Sequence, residues 1–348
     1  MRKQLWGIIG LALLCLPARA QTPSVFTPEP AEVILSEAES PLKDLTPTDL
    51  PEAHAGEEES APGLTFAAEL LVLTPRSSSL DFALVDAKND LIPAGRMQSL
   101  NYRIDAGFRA GLAYRTARGW DFGFAYSYFQ SEDSFGIAAP AGALLYPTLT
   151  RPGLINQSRV ASANAKLTIN TYDIIVGRTW EPAEDLQLRF YGGLRFATIR
   201  TRLECLYDGR DADTALADTK SDFGGVGPMF GAEGSLNVGS GFGLFGKANG
   251  GLLTGTQRAR IFEYNNGGGT LYTDFRDRYA HVVPYLQLGV GMEYRYNGVF
   301  LRAGYEVTNW FQVVDRPVFL NDFAEGKLTR RVTNLALDGL FLQAGFRY

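Results

Sequence analysis

The stretch Leu100-Asn101-Tyr102-Arg103-Ile104-Asp105-Ala106-Gly107-Phe108-Arg109-Ala110-Gly111-Leu112-Ala113-Tyr114-Arg115 decides the fold. From Leu100 to Tyr114 every second residue is apolar, and charged, amide or small residues stand between them. A period of two is that of an extended strand with one apolar and one polar face. After Thr116–Gly119 the pattern resumes, with Trp120, Phe122, Phe124, Tyr126 and Tyr128 alternating with Asp121, Gly123, Ala125 and Ser127. The two runs read as a hairpin. A half-buried sheet of a soluble protein also alternates, but its strands are usually about five or six residues long. Here the first run is far longer, its apolar face carries aromatics near both ends, and its polar face mixes full charges with glycine. A membrane-barrel strand needs about 9–11 residues to cross, turns one side to lipid and sets aromatics at both interfaces.

The N-terminal residues set the compartment. Arg2 and Lys3 precede the apolar run Leu5–Leu16, and Ala18 and Ala20 offer a small-residue cleavage site. Residues 1–20 therefore read as a secretory signal peptide. Later in the chain no stretch reaches the roughly 20 apolar residues of a spanning helix. Cys15 belongs to the signal, so Cys205 stands alone and no internal disulfide is expected. Residues 21–62 carry ten acidic residues against Lys43 alone, with seven prolines. Such a composition cannot build a core, and the segment reads as a disordered periplasmic extension. A second use, docking something basic or the cell wall, stays open. The whole chain has 33 basic and 38 acidic residues; from Gly63 onward, 29 basic and 28 acidic remain. The acidity belongs to the linker.

Further alternating segments fall at about 64–74, 162–180, 185–203, 222–238, 241–256, 278–296, 298–313 and 333–348. Their connections alternate between tight (116–118, 181–184, 239–240, 297) and long (75–97, 131–161, 204–221, 257–277, 314–332). An up-and-down barrel with short periplasmic turns and long external loops has this rhythm. The expected fold is all-β: a transmembrane antiparallel up-and-down barrel of about ten strands, two more or fewer being possible, over residues 63–348. Leu80–Val85 is a candidate for one further strand inside the first loop. Both termini then face the periplasm. Glycines at 224–234 and 241–251 mark bends rather than a nucleotide loop, since no strand–helix unit surrounds them.

The chain stops on Leu340, Leu342, Ala344, Phe346 and Tyr348. A final aromatic strand resembles the signal read by the barrel-assembly machinery, although Gln343 stands where glycine is common. Four stretches carry a family resemblance: Tyr172-Asp173-Ile174-Ile175-Val176-Gly177-Arg178, Tyr191-Gly192-Gly193-Leu194-Arg195-Phe196, Phe223-Gly224-Gly225-Val226-Gly227-Pro228, and Leu301-Arg302-Ala303-Gly304-Tyr305-Glu306. Through them the barrel region resembles the pore-forming family typified by the major outer membrane protein of Legionella. That resemblance implies a porin-like protein of a Gram-negative-type outer membrane. It implies no particular solute.

Alternation assigns the two faces. Expected inside the lumen are Arg103, Asp105, Arg109, Arg189, Arg195, Glu233, Lys247, Glu293, Arg295, Arg302 and Glu306. With seven positive groups against four negative, the lumen is expected to be modestly positive and to favour anions. Expected in the aromatic girdles are Tyr114, Trp120, Trp180, Tyr294, Tyr296, Phe346 and Tyr348 at the periplasmic rim, with Tyr102 and Tyr128 at the other. Outer-membrane lipid is the partner these girdles imply. Chemistry is thinly represented. Only His54 and His281 exist, and a hydrolase generally needs a histidine beside a carboxylate or serine. His281 has Asp274 and Asp277 nearby in sequence, a weak basis for catalysis. No His/Cys cluster has metal-ligand spacing, so neither metal nor cofactor is expected. A basic stripe interleaved with aromatics is lacking, which argues against nucleic acid. Two readings stay open: a narrow diffusion pore, or a barrel plugged by its own side chains that serves as an anchor or adhesin. An outer-membrane enzyme is a distant third.

Overall fold

The computed structural model describes residues 62–87, 94–321, 323 and 326–348. The signal segment, and the acidic linker except Pro62, lie outside the described residues. Ten strands close into an antiparallel barrel: β1 (Gly63–Ser77), β4 (Asp105–Arg115), β5 (Trp120–Ala138), β7 (Val160–Ala183), β8 (Leu186–Gly209), β9 (Ala212–Gly239), β10 (Phe242–Asn265), β11 (Thr270–Tyr296), β12 (Val299–Phe319) and β13 (Leu328–Arg347). Each pairs with its neighbours along the chain, and β1 closes the ring against β13. Three short strands, β2 (Asp81–Asp86), β3 (Gly95–Ser99) and β6 (Leu144–Pro147), form a separate sheet in the connections. The extra strand suspected at Leu80–Val85 is thus β2, outside the barrel wall.

At the end that holds Gly63 and Tyr348 the turns are tight. Gly119, Ser240 and Asn297 adopt the left-handed backbone that two-residue and three-residue hairpins require. Around this rim Tyr114, Trp120, Trp180, Tyr294, Tyr296, Phe346 and Tyr348 all have exposed side chains. Above them the outward residues are apolar: Phe108, Phe124, Ile174, Leu194, Phe230, Leu252, Leu288 and Leu342 are each two-fifths exposed or more. Tyr128 lies outward at the top of this belt and packs on Phe108.

Farther up, the apolar phase flips. On β8 the outward residues are apolar through Phe196, then become Thr198, Arg200, Arg202 and Glu204; the inward ones become Ala197, Ile199, Leu203, Cys205 and Tyr207, all buried. Strand β7 does the same: Tyr172, Ile174 and Val176 point out below, and Ala161, Ala163, Ala165, Leu167 and Ile169 point in above. A strand leaving lipid for water must turn its polar side outward, and its inner side gains a packed core. The flip therefore marks the upper membrane boundary.

Two expectations are corrected at this end. Residues 204–221 and 257–277 are not loops. Strands β8 and β9 run on to a two-residue turn at Arg210 and Asp211, and β10 and β11 to a 3-10 turn at Asn266–Gly268. Strands of 24 to 28 residues exceed a crossing more than twofold, so β7–β11 raise a wall well above the membrane. The second correction concerns residues 98–104. Leu100 donates its backbone N–H to the Leu80 carbonyl at 3.0 Å, and the chain enters β4 only at Asp105. Tyr102, expected in the girdle, is buried against this core, and Ile104 is 67% exposed.

The glycine-rich strands β9 and β10 meet unusually closely. A Cβ on Gly227 would fall 1.9 Å from the Leu252 carbonyl oxygen, and one on Gly255 2.1 Å from that of Gly224. Close backbone approach at a bend is what these glycines permit.

Candidate functional site

Side chains from all ten strands converge in the barrel interior, which is layered. At the termini end lies a vestibule of about 490 Å³, with Arg115, Arg295, Arg347 and Gln343 on its walls. Its floor is ionic. Arg189 clamps Asp121 with two of its guanidinium nitrogens, Nε at 2.9 Å and Nη2. Arg302 bridges Glu233 at 2.6 Å and Glu293 at 3.0 Å, Arg295 reaches Glu293 at 2.7 Å, and the Ser235 hydroxyl also donates to Glu293.

One layer deeper, charged side chains from four strands form a single network. Arg109 of β4 donates to Glu69 of β1 at 2.6 Å and to Glu306 of β12 at 3.1 Å. Lys247 of β10 approaches Glu306 at 2.8 Å and Glu69 at 3.6 Å. The spare lone pairs are taken up: Gln343 donates to Glu69 at 3.2 Å, and Gln287 donates to Glu306 at 3.2 Å while accepting from Asn249 at 3.0 Å. The Glu69 and Glu306 side chains are each 2% exposed. Beside them Arg195 grips Asp173 at 2.7 and 2.6 Å. Aromatic faces cover the cations, Phe341 under Lys247 at 4.1 Å and Tyr285 under Arg195 at 4.5 Å. Buried charges persist only when paired and hydrogen-bonded in this way.

Above the ions the interior turns apolar. Leu71, Leu73, Phe129, Ile169, Trp310, Leu335 and Leu337 of the wall pack with Leu80, Phe82, Leu100 and Tyr102 from the β1–β4 connection. That connection is held down by charge. Arg316 donates to the Ser79 and Asp81 carbonyls and pairs with the Asp81 carboxylate at 3.2 Å, which Arg331 also meets at 2.7 Å. Between the ionic and apolar layers lies a pocket of only about 50 Å³, and beside the plug, against Leu80, Tyr102 and Arg316, one of about 20 Å³.

Of the residues assigned to the lumen, Arg109, Arg189, Arg195, Glu233, Lys247, Glu293, Arg302 and Glu306 meet in these layers, with Arg295 at the vestibule. Asp105 accepts the Ser131 hydroxyl at 2.6 Å nearer the far mouth. Arg103 is corrected: it lies before β4, its side chain is 76% exposed, and it pairs with Asp133 at the rim. Three inward carboxylates were overlooked, Glu69, Asp121 and Asp173, although each lies on the polar phase of its strand. They change the sign of the argument. Six carboxylates now face Arg109, Arg189, Arg195, Lys247 and Arg302 within the ionic layers, so the deep interior is balanced rather than positive. His281 gives a ring nitrogen to the Gln312 carbonyl at 2.8 Å, and Asp274 and Asp277 bind arginines instead of it. Among the described residues no group of carboxylate, histidine and cysteine side chains is placed to hold a metal.

An antiparallel barrel with an apolar waist, an aromatic rim and a polar, side-chain-filled interior defines an outer-membrane β-barrel protein. The family described as Legionella pneumophila major outer membrane protein precursor matches residues 58–348, and the chain belongs to that family. Its place is the cell outer membrane. No curated protein matches the chain. Among solved structures it is similar to the outer-membrane protease OmpT of Escherichia coli, at 11% identity and a TM-score of 0.48, covering 82% of this chain and 96% of that one. It is also similar to the attachment invasion locus protein Ail of Yersinia pestis, at 11% identity and a TM-score of 0.22, covering 82% and 97%. The toluene transporter TodX of Pseudomonas putida follows at 11% identity and a TM-score of 0.26, covering 82% and 90%.

Proposed function

We propose that this protein is a sealed outer-membrane barrel, an anchor that acts at the cell surface through the tall β7–β11 wall and the sheet over its mouth. The observation that carries this reading is the double closure: the Glu69–Arg109–Glu306–Lys247 layer, and above it the apolar plug that Arg316 and Arg331 hold by Asp81. Ten strands enclose little more room than the eight whose interior side chains fill. Single-channel recording in planar bilayers tests it. The expected trace is flat at moderate voltage, and regular conductance steps from the wild-type protein overturn the reading.

The porin-like reading rests on the vestibule, which brings solute from the periplasmic side as far as Arg189 and Arg302. Passive diffusion then requires the plug to leave and the ionic layer to part. Cutting Leu80–Val85 out of the first connection should in that case produce conductance that the intact chain lacks. We also propose that the protein is not a hydrolase, because His281 faces a backbone carbonyl and its neighbouring carboxylates are committed to arginines.

A further inference from the structure

Above the flip in apolar phase, the outward face of β8–β11 carries a lateral row of facing positions occupied by Arg200, Asp222, Arg258 and Arg278. One row farther out stand Lys166, Arg202, Lys220, Arg260 and Arg276. The two rows differ in how their charge is spent. The outer one is answered by carboxylates: Arg202 meets Asp218 at 2.8 Å and Glu204 at 2.6 Å, Lys220 meets Asp218 at 3.3 Å, and Asp274 takes both Arg260 and Arg276 at 3.0 Å. The inner row is left over. Arg200, Arg258 and Arg278 are exposed, and among the described residues their guanidinium groups form no ion pair. Asp222 alone shares their row.

Position tells what such a row meets. Arg200 lies four residues beyond Phe196, and Arg278 four beyond Val282, the last large apolar residues of the belt on their strands. Four residues make about 13 Å along a strand. With barrel strands tilted by roughly 35–45°, that is about 10 Å above the hydrocarbon edge. Arginine side chains extend toward charged headgroups from such a height. Across the sheet, neighbouring strands are about 4.8 Å apart, so Arg200 and Arg258 stand roughly 10 Å from one another. A planar, permanently charged guanidinium pairs bidentately with phosphate oxygens. The geometry points to a binding surface for the phosphate-bearing headgroups of the outer leaflet, with Arg200, Arg258 and Arg278 as the phosphate contacts and Asp222 as the counterweight that limits their grip. This inference rests on the outer-membrane placement and is independent of whether the barrel conducts.

The full-length protein, folded in detergent and moved into vesicles containing bisphosphorylated lipid A, supplies the test. Lipid retained through detergent washing is measured for the wild type, for Arg200→Ser/Arg258→Ser/Arg278→Ser and for Arg202→Ser/Arg260→Ser. Folding is monitored separately by the shift in gel mobility on heating. The triple variant is expected to retain the lipid about a hundredfold less well, at roughly fivefold for each cation facing an anionic surface. The variant of the outer, already paired row is expected to match the wild type, and Asp222→Asn to retain more. Dephosphorylated lipid A should bind the wild type no better than it binds the triple variant, and free inorganic phosphate should compete only weakly, which separates a headgroup site from a free-phosphate site. Equal retention by folded wild type and folded triple variant overturns the proposal, as does undiminished binding of the dephosphorylated lipid. Should the triple variant fail to fold, Arg258→Ser and Asp222→Asn decide alone, by retention in opposite directions or, against the proposal, by none.

Discussion

The hydroxyl of Tyr207, buried on the inner face of β8, donates a 2.6 Å hydrogen bond to the backbone carbonyl of Phe82, 125 residues earlier in the chain. It ties the plug to the tall wall from the side opposite Arg316 and Arg331. Tyr207→Phe keeps the ring and removes the shorter of two bonds to that carbonyl, which retains the Thr148 N–H at 3.2 Å, so the loss is that of one hydrogen bond, about 0.5–1.5 kcal/mol. Amide exchange at Leu80–Val85 should quicken while the barrel strands stay protected. Unchanged exchange there would show that the plug is held by its apolar contacts alone.

The ionic layer should be fragile to one-sided changes. Arg109→Ala leaves Glu69 and Glu306 sharing Lys247, and breaking a buried network of this type costs about 3–5 kcal/mol. The folded form should lose its resistance to heating in gel assays at a distinctly lower temperature. Adding Glu306→Gln to Arg109→Ala should recover part of the loss, because it removes an unpaired carboxylate.

Lipid exposure separates neighbours on one strand. Phe108 is 45% exposed in the apolar belt, and Phe108→Arg should cost about 2–4 kcal/mol in folding free energy. Gly107→Arg fails for a different reason: even a Cβ there would fall 2.6 Å from the Tyr128 carbonyl oxygen. Titrating both variants with urea in detergent and in bilayers distinguishes the two. The penalty at Phe108 should depend on the bilayer, whereas that at Gly107 should not.

Acid should tighten the cap. Glu263, fully buried near the tip of β10, has its carboxyl pushed up to about 7 by burial, and the backbone N–H of Arg151 at 2.8 Å only partly opposes this. A raised carboxyl pKa means that the folded state binds the proton more tightly than the unfolded one. Stability from this group is therefore full below the ordinary glutamate range and is lost as pH rises through about 7. Proteolysis within residues 139–159 should be slower at pH 5 than at pH 8, and Glu263→Gln should flatten that difference. Equal pH dependence in Glu263→Gln would assign it to other groups.

The close approach of β9 and β10 predicts a steep penalty for the smallest possible change. In Gly227→Ala the new methyl would meet the Leu252 carbonyl oxygen, so the strands must part. Refolding yield should fall well below that of Gly224→Ala, whose site is open.

How much of this was legible depended on which side of the membrane boundary a residue lies. Below it, lipid demands apolar residues on one face only, and the period-two pattern of Phe108, Leu112, Phe124 and Leu194 fixes strand, face and order. Above it the same letters mean the reverse. Leu203, Cys205 and Tyr207 alternate with Arg202 and Glu204 as cleanly as any lipid-facing run, but in the opposite phase, so the extension of β8 passes for a charged loop. Reading the phase as well as the period would have found it. Leu100 and Tyr102 share the even phase of Phe108 and still turn inward, because Leu80 and Phe82 lie across the mouth and local pattern carries no record of that contact. Glu69, Asp121 and Asp173 were hidden differently. Each stands on the polar phase of its strand, but a carboxylate there does not reveal what it pairs with until its partner on another strand is known, as Arg109 is for Glu69.

The seam between β1 and β13 has a consequence for the order of assembly. Phe66 pairs with Phe346, while most other strand pairs join residues close in sequence, so hairpins form cheaply and the seam is the costly, late contact. Glu69 stands on one lip of that seam and Gln343 on the other. Until the lips meet, the carboxylates and guanidinium groups of the interior remain hydrated; when they meet, water is expelled from all of them together. The last covalently distant contact is thus also the dehydration step for the ionic layer, and the same closure buries Leu71 and Leu73 of β1 with Leu335 and Leu337 of β13.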